Sequence, residues 1–419
     1  MGQTIVQKVL AKKSGQSEVH PGEILYPKFD LSVIHEVPVV EFWEELKAVG
    51  VTKLARPEDM LVVSDHEIPI NTLKAAERTK KTKELMKELG IKRFIRPGCH
   101  GIQHQVTLEQ GYVLPGMLIT VFDIHCLNMG ALGAVSVPVV YEYPTVMATG
   151  TIWVKVPETI RINLHGKMQL GVSVRDVIHY VMKEVGAEAA DYRMVDFSGP
   201  AVKEMSIFER MILCGVIVEI GAKSAIVEPD EKTLAYIKER AKFPYEVVKN
   251  DKDAKFERVY DFDISNIEPM VALPPSPDNV APLTEVIGKK IDSAYIGSCA
   301  SGTLEELRAA AQVMKNRIVH PDVFCLVVPS TQEVFREAAD EGIISTFIKA
   351  GCHVIGPTCA PCFGAINQMA DGDTRIATST RNDRGRMGSF NSDIYLASAV
   401  TVAAAAVKGS ITDPREFLR

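Results

Sequence analysis

Three cysteines are the first candidates among the side chains that could react or bind a metal. Cys359 and Cys362 form a Cys-x-x-Cys pair in a loop rich in proline and glycine at residues 356–364. Such a pair is typical of a redox centre or of half a zinc site. A tetrahedral zinc site needs four ligands, however, and the chain has no second Cys-x-x-Cys. A thioredoxin-like pair would follow an early strand of its domain, whereas this loop comes late in the chain.

Cys299 offers a third thiol, in a Gly-Ser-Cys turn that we predict to connect a strand to a helix. Small neighbours would let a cofactor approach the backbone, and helix N–H groups would stabilise anionic sulfur. Three thiolates can hold a [4Fe–4S] cube by three corners and leave the fourth iron open. An open iron is a Lewis acid that can bind a hydroxyl and a carboxylate and ease the loss of water.

Two Asp–His pairs, Asp65-His66 and Asp123-Ile124-His125, follow short apolar runs that we predict to be buried strands. The carboxyl ends of strands hold functional residues in many α/β proteins. A carboxylate beside an imidazole raises the histidine pKa and selects its tautomer, which suits proton transfer. The same arrangement is also common as a hydrogen-bonding pair without catalytic function.

The surrounding pattern predicts an α/β protein. Residues 71–89 have the spacing of an amphipathic helix, and from Ile291 onward strand, turn and helix alternate, which predicts a parallel sheet with helical cover. A second unit is expected to begin near Ile152. The five prolines at 269–282 favour a linker, and the alanine-rich residues 394–407 predict a buried helix.

Composition excludes several classes of protein. The 419 residues carry 47 basic and 53 acidic side chains, a net charge of −6 without a basic cluster, so we expect neither nucleic-acid nor membrane binding. The first 22 residues lack the apolar segment of a secretory signal, and no apolar run reaches the ~18 residues of a membrane span. We therefore predict a cytoplasmic protein with reduced thiols, in which Cys99, Cys214, Cys325 and Cys352 are buried apolar residues.

Several long motifs in one order resemble the aconitase superfamily, and within it the large subunits of isopropylmalate isomerases. The motifs that carry the resemblance are Gly297-Ser-Cys-Ala-Ser-Gly-Thr-Leu-Glu-Glu-Leu-Arg308, the Cys359/Cys362 loop, Ser379-Thr-Arg-Asn-Asp-Arg-Gly-Arg386, Val156-Pro-Glu-Thr-Ile160 and Ile226-Val-Glu-Pro-Asp230. The resemblance implies three α/β domains around a central iron–sulfur cluster. We place them at 1–157, at 158–285 with the proline-rich linker at its end, and at 286–419, which would bind the cluster.

The resemblance also implies roles for single residues. Cys299, Cys359 and Cys362 would be the ligands of a [4Fe–4S] cluster with one open iron. Asp65 and His66 would form the acid that protonates the departing hydroxyl.

Further site positions would hold water and the two carboxylates of a substrate. The polar positions that the resemblance implies are Asp123, His125, His104 and Glu219, and the carboxylate-binding positions are Arg381 and Arg386. A guanidinium fork suits a dicarboxylate. The family's base is a serine in a Gly-Ser-Ser-Arg-Glu motif on a swivelling domain, and this chain lacks that motif. We therefore expect a small partner subunit that carries the swivelling domain and the base serine, and an inactive chain without it.

Departures from the family's pattern bear on the substrate. Polar residues of the family are replaced here by Ile124 and Cys126, Ala300-Ser301, Thr380 and Gly215. A pocket that loses hydrogen-bonding groups should prefer a less polar diacid. We therefore predict a hydro-lyase that dehydrates a branched hydroxy-dicarboxylate, 2,3-dimethylmalate to dimethylmaleate. The alternatives are a 3-isopropylmalate dehydratase large subunit, a non-catalytic homologue that binds RNA or a partner, and a zinc–thiol protein.

Overall fold

A computed structural model describes residues 2–418, and their packing divides the chain into two compact units. Unit 1 comprises the described residues up to Leu164 together with Ala190–Asp261. Unit 2 comprises His165–Ala189 and the described residues from Phe262 onward. The mixed α/β architecture agrees with the predicted fold class. In the described residues, no helix is long and apolar enough to span a membrane.

Helices and strands alternate along the chain. The helices of the described residues are α1 (Ile5–Lys13), α2 (Val39–Ala48), α3 (Leu73–Leu89), α4 (Gln103–Glu109), α5 (Tyr143–Thr149), α6 (Val174–Val185), α7 (Pro200–Glu204), α8 (Ile207–Val216), α9 (Glu231–Ile237), α10 (Leu304–Met314), α11 (Gln332–Asp340), α12 (Ile343–Lys349) and α13 (Ala399–Lys408). The strands are β1 (Ile24–Leu25), β2 (Leu31–His35), β3 (Met60–Val63), β4 (Arg93–Ile95), β5 (Leu118–Val121), β6 (Val135–Pro138), β7 (Val154–Lys155), β8 (Thr159–His165), β9 (Met194–Ser198), β10 (Ser224–Val227), β11 (Arg258–Asp263), β12 (Met270–Ala272), β13 (Val280–Pro282), β14 (Ser293–Ile296), β15 (Phe324–Val327), β16 (His353–Val354), β17 (Thr374–Ala377) and β18 (Asp393–Leu396).

Unit 1 is built around a five-stranded parallel sheet of order β4-β3-β2-β5-β6. Its central strands are buried on both faces, as expected of a parallel sheet covered by helices. Trp43 and Leu46 of α2 and Met86 of α3 pack into one core with the apolar side chains of β2 and β3. The carboxyl ends of β2, β3 and β5 lie at one edge of this sheet, because parallel neighbours point the same way.

A four-stranded sheet of order β10-β9-β8-β11 also forms in this part of the chain, with β8, β9 and β10 parallel. Helix α8 begins with a capping box, in which the Ser206 side chain and the N3 residue Glu209 exchange hydrogen bonds with the backbone. A short 3-10 segment, Ile217–Ile220, follows directly and carries Glu219.

Unit 2 contains a seven-stranded mixed sheet of order β13-β12-β18-β17-β14-β15-β16. Strand β14 is central and pairs in parallel with both β15 and β17. Leu307 and Ala310 of α10 and Ala403 of α13 belong to the core that covers this sheet. The strand, turn and helix alternation predicted from Ile291 onward is confirmed.

Two predicted elements differ from the structure. The proline-rich residues 269–282 form the antiparallel pair β12 and β13 at the edge of the seven-stranded sheet, and are no linker. Proline is tolerated there because edge strands and turns need no N–H from it. The apolar residues 394–407 are split between β18 and α13, since the strand ends at Leu396 and Ser398 is the N-cap of the helix. The predicted domain limits, 1–157, 158–285 and 286–419, stay a prediction.

Candidate active site

The Asp65–His66 pair follows β3 and is largely buried. Asp65 Oδ1 lies 2.6 Å from His66 Nδ1, and Asp65 Oδ2 accepts a hydrogen bond of 2.8 Å from the Gln103 backbone N–H. Burial alone would lower the pKa of His66, but Asp65 outweighs it and raises that pKa to about 9. The imidazole is therefore protonated at neutral pH, with Nδ1 bound to Asp65, and can serve as a proton donor.

Glu36, directly after β2, holds the turn that carries this pair. Its carboxylate accepts hydrogen bonds from three consecutive backbone N–H groups, those of Asp65 at 3.1 Å, His66 at 3.1 Å and Glu67 at 2.6 Å. Burial, followed by the charge of Asp65, raises the pKa of Glu36. A carboxylate with several N–H donors is a strong local restraint on a loop backbone.

His35 stacks on His66, with ring centroids 3.7 Å apart and an interplanar angle of 12°. Burial, with the neighbouring His66, lowers the pKa of His35 to about 3, so a neutral ring lies against a charged one. His35, Glu36 and His66 also bring ligand atoms within 4.8 Å of one another. A metal ligand must be a neutral imidazole, however, and the raised pKa of His66 favours a proton there instead.

A second polar cluster in unit 1 joins four of the residues predicted from the resemblance. Asp123 Oδ1 lies 3.3 Å from His104 Nε2 and 3.2 Å from His125 Nδ1, and His125 Nε2 lies 3.0 Å from Glu219 Oε1. The structure therefore brings His104 and Glu219, which are distant in sequence, to the Asp123–His125 pair.

Within this cluster, the pKa of Asp123 is lowered and that of His125 is raised. Burial would raise the pKa of Asp123, but His104 and His125 lower it well below the ordinary value. Burial would also lower the pKa of His125, but Asp123 and Glu219 raise it to about 10. His125 is therefore an imidazolium between two carboxylates. The Nδ1 of His104 is buried and has no hydrogen-bond partner among the described residues, which leaves it for a ligand.

Close packing explains why His125 and Glu219 meet. The 3-10 segment Ile124–Leu132 carries His125, and its N-cap residue Asp123 accepts a 2.8 Å hydrogen bond from the His125 N–H. At Gly130 a Cβ would lie 1.8 Å from the Ala225 carbonyl oxygen, so only glycine allows this segment to approach β10. At Gly215 of α8, a Cβ would lie 3.1 Å from the Asn128 Cβ, so this contact is also tight.

Cys299 lies in unit 2, in the turn after β14. The preceding residue, Ser298, has a left-handed φ of +87°, a conformation that costs about 1–3 kcal/mol in a non-glycine residue. The Ser298 hydroxyl donates to the Thr378 carbonyl at 2.9 Å, which helps to hold the turn. At Gly302 a Cβ would lie 2.8 Å from the Val328 carbonyl oxygen, so this turn packs closely on the end of β15.

Cys359 and Cys362 lie in the same unit, at a 3-10 turn. The Arg386 Nε donates to the Cys362 carbonyl at 3.0 Å, and a Cβ at Gly364 would lie 3.0 Å from the Arg386 carbonyl oxygen. Arg386 therefore lies against the loop that carries the two thiols. Arg381 lies in the same stretch of chain, but its fork is bound by Asp383 at 2.7 and 2.9 Å.

The three thiols fit an iron–sulfur cluster better than a single ion. Cys299 and Cys362 are buried, and none of the eight cysteines, all within the described residues, forms a disulfide. In addition to burial, the charges of all three thiols raise the pKa of the Tyr295 hydroxyl, so they converge on one side chain. Yet no described set of three potential ligands that includes them lies within 4.8 Å, as one zinc ion would require. A cube with a separate iron for each thiolate needs that wider spacing.

Some of the residues around these groups were missed by sequence reasoning. Neither His35, the last residue of β2, nor Glu36, which follows it, carries a motif of its own, and the short apolar run of β2 is the one signal that could have indicated a strand end there. Tyr295 reads as an ordinary core residue of β14. The prediction that Cys99, Cys214, Cys325 and Cys352 are buried is confirmed in part. Cys214, Cys325 and Cys352 are buried, whereas Cys99 is exposed.

Replacing Glu36 with glutamine should impair the pair that it holds. The amide would direct N–H groups at backbone N–H groups, so the turn would shift, and a displacement near 1 Å costs on the order of 10²-fold in kcat. Loss of the charge would also lower the pKa of His66, which Glu36 helps to raise. The measurement is kcat against pH, with the exposed Glu45→Gln on α2 as control. An unchanged pH profile in Glu36→Gln would contradict this prediction.

A family model and two known proteins match this chain over almost its whole length. The model of the aconitase family (aconitate hydratase) matches residues 4–409. The probable 3-isopropylmalate dehydratase large subunit of Methanothermobacter thermautotrophicus is 41% identical over 416 residues, which cover 99% of this chain and 99% of that protein. The 3-isopropylmalate dehydratase large subunit of Aquifex aeolicus is 40% identical over 426 residues, 100% of this chain and 98% of that protein.

A solved structure is similar over nearly the whole length. The crystal structure of Thermococcus kodakaraensis aconitase X in its holo-form matches with a TM-score of 0.54 at 11% identity, and the match covers 96% of this chain and 95% of the other. At this identity the likeness concerns the fold alone.

Proposed function

Because this chain belongs to the aconitase family, a family of hydro-lyases, we propose that it is the large subunit of a 3-isopropylmalate dehydratase that uses a [4Fe–4S] cluster with one open iron. The observation that carries the proposal is a set of three free thiols in one unit, Cys299 in the turn after β14 and Cys359 and Cys362 at one 3-10 turn, whose charges all raise the pKa of the buried Tyr295 hydroxyl. Full-length relatives at about 40% identity carry this activity in their names. Family membership also favours an enzyme over a non-catalytic binding protein.

The three thiols are proposed to hold the cluster. When bound, a cluster with one open iron supplies a Lewis acid for the departing hydroxyl of the substrate. Arg386 is the better of the two candidate carboxylate ligands. Arg386 lies against the loop that carries Cys359 and Cys362, whereas the fork of Arg381 is bound by Asp383.

Proton transfer is assigned to the residues of unit 1. His66 is protonated at neutral pH and can donate to the hydroxyl as it departs, while Asp65 stabilises the charged ring before the transfer. His104 and His125 are proposed to hold water and substrate oxygen atoms by hydrogen bonds, and Asp123 and Glu219 orient the two rings.

A small subunit is proposed as the partner. The relatives are named large subunits, and the Gly-Ser-Ser-Arg-Glu motif of the family's base is not in this sequence. The chain alone should therefore lack dehydratase activity, and addition of a small subunit with that motif on its swivelling domain should restore it. We also propose a cytoplasmic location, because the cluster ligands must stay reduced.

A second candidate substrate is 2,3-dimethylmalate. The departures at Cys126, Gly215 and Ala300, all buried here, favour a pocket with fewer hydrogen-bonding groups. The test is an anaerobic assay of the assembled, iron-loaded enzyme on 3-isopropylmalate, 2,3-dimethylmalate and citrate. We expect a kcat/KM for 3-isopropylmalate that is roughly tenfold or more above the others. A preference for 2,3-dimethylmalate would replace the first candidate with the second, and inactivity on all three would refute both.

The pH dependence of the reaction should report on His66. Its proton is present below a pKa of about 9, so activity should fall as the pH rises through that value. Replacing Asp65 with asparagine removes the main cause of the raised pKa, so the fall should move to lower pH. The Asp65–His66 pair also contributes to the free energy of unfolding. This contribution should be fully present below pH 6.5 and should be lost as the pH rises through about 9. Rate and thermal unfolding against pH measure both effects, and identical profiles for the two proteins would contradict the assignment.

A further inference from the structure

Tyr295 is a fully buried residue of β14 whose hydroxyl has no hydrogen-bond partner among the described residues. Buried hydroxyl groups are nearly always paired, so an unpaired one requires an explanation. A phenylalanine would fill the same core position without this cost. The hydroxyl therefore points to a partner that is not a protein atom.

The face of β14 that carries Tyr295 contacts the part of the chain that follows Cys359 and Cys362. Side chains alternate along a strand, so Tyr295 shares a face of β14 with Ser293. Ser293 Oγ accepts from Arg375 Nε at 2.9 Å, and Arg375 Nη2 donates to the Asn367 carbonyl at 3.0 Å. Arg375 Nη1 also lies 3.6 Å from Met387 Sδ. This face of the sheet is therefore covered by the chain that follows Cys362.

The third thiol, that of Cys299, lies in the turn that follows β14, the strand that carries Tyr295. Gly297 and Cys299 directly follow β14, and a Cβ at Gly297 would lie 2.9 Å from the Tyr295 ring atom Cε2. The ring thus packs against the turn that carries Cys299. Burial, and then the charges of Cys362, Cys359 and Cys299, raise the pKa of Tyr295 well above the usual value. A phenol is protonated at neutral pH even at its ordinary pKa of about 10, so the hydroxyl is available as a donor.

We propose that the Tyr295 hydroxyl donates a hydrogen bond to a sulfur atom of the cluster held by the three cysteines, and that this bond raises the reduction potential of the cluster. Reduction adds negative charge to the sulfur atoms, and a hydrogen-bond donor stabilises the more negative state. Tyr295 is in this sense a positioning residue, with no contact to the substrate required. The inference rests on the proposed function, since it needs the cluster.

The test compares Tyr295→Phe with the wild-type protein, each assembled with the small subunit and loaded with iron and sulfide. The measurement is the reduction potential of the cluster, followed by electron paramagnetic resonance during an anaerobic titration. We expect a shift to more negative potential in Tyr295→Phe. The control is Tyr143→Phe, which removes a buried hydroxyl that bonds to Ser32 in the other unit and should leave the potential unchanged.

A second variant changes the strength of the donor without removing it. Site-specific 3-fluorotyrosine at position 295 has a more acidic hydroxyl, a stronger donor, and should shift the potential in the positive direction. Equal potentials in all variants with full iron content would overturn the inference and leave the proposed function intact. A wild-type protein that takes up no iron–sulfur cluster would instead overturn the proposed function.

Discussion

Cys359→Ser should lose dehydratase activity almost completely, on the order of a thousandfold or more, together with the visible absorption and iron of the cluster. A Lewis acid contributes several kcal/mol of transition-state stabilisation, and each ~1.4 kcal/mol is a factor of ten in rate. A serine oxygen is a poor ligand for iron in such a cluster, where thiolates are the usual ligands. The measurements are kcat of the assembled enzyme, iron content and the visible spectrum.

A matched control separates cluster loss from general damage. Cys325 is a buried thiol of β15 that contacts the Cys352 sulfur at 3.5 Å, and no role in the cluster is proposed for it. Cys325→Ala should lower the stability of the core but keep the iron content, the spectrum and most of the activity. If Cys359→Ser retained a full complement of iron and wild-type kcat, this thiol would not be a ligand and the proposed reaction would lose its metal site.

His66→Gln is expected to have the second-largest effect, a fall in kcat of about 10²–10⁴-fold, the usual contribution of a positioned general acid. Glutamine keeps a polar side chain beside Asp65 but cannot donate a titratable proton. The KM should change little, because substrate carboxylates are assigned to other residues. Steady-state kinetics of the assembled enzyme measure both constants, and the iron content shows whether the cluster is retained.

The control for this variant is His20→Gln, an exposed histidine near Glu18. It should leave kcat and the pH profile at their wild-type values. A His66→Gln enzyme with a raised KM and an unchanged kcat would identify His66 as a substrate-binding residue. In that case the proton donor would be another group, for example His125, which is also protonated at neutral pH.

The positions of Asp65 and His66 follow from their order in the chain, whereas the contact of Glu36 with their turn depends on the fold. Asp65 and His66 are neighbours in the chain, so a strand end is enough to place them side by side. Glu36 gives the pair its definite orientation, because three N–H groups of one turn bind one carboxylate. Positioning of this kind matters for proton transfer, whose rate depends on the distance and direction of the donor.

The residue types and their order along the chain determined the family, the α/β class and most candidates for the site. Cys299, Cys359 and Cys362 could be selected because thiols are rare and chemically distinctive. The spacing of apolar residues also predicted helices where one face of the helix is buried, as in α3 and α10. Such patterns depend on local spacing, which is written in the sequence itself.

Only the tertiary structure decided which distant groups meet. Glu219 reaches His125 because a glycine lets the 3-10 segment approach β10, and Glu36 acts through backbone N–H groups that every sequence has. The residues 394–407 divide at Ser398 into a strand and a helix, because pairing with β17 outweighs the helical pattern of the first residues. Long-range contacts of this kind depend on chain reversal and packing, and no local spacing encodes them.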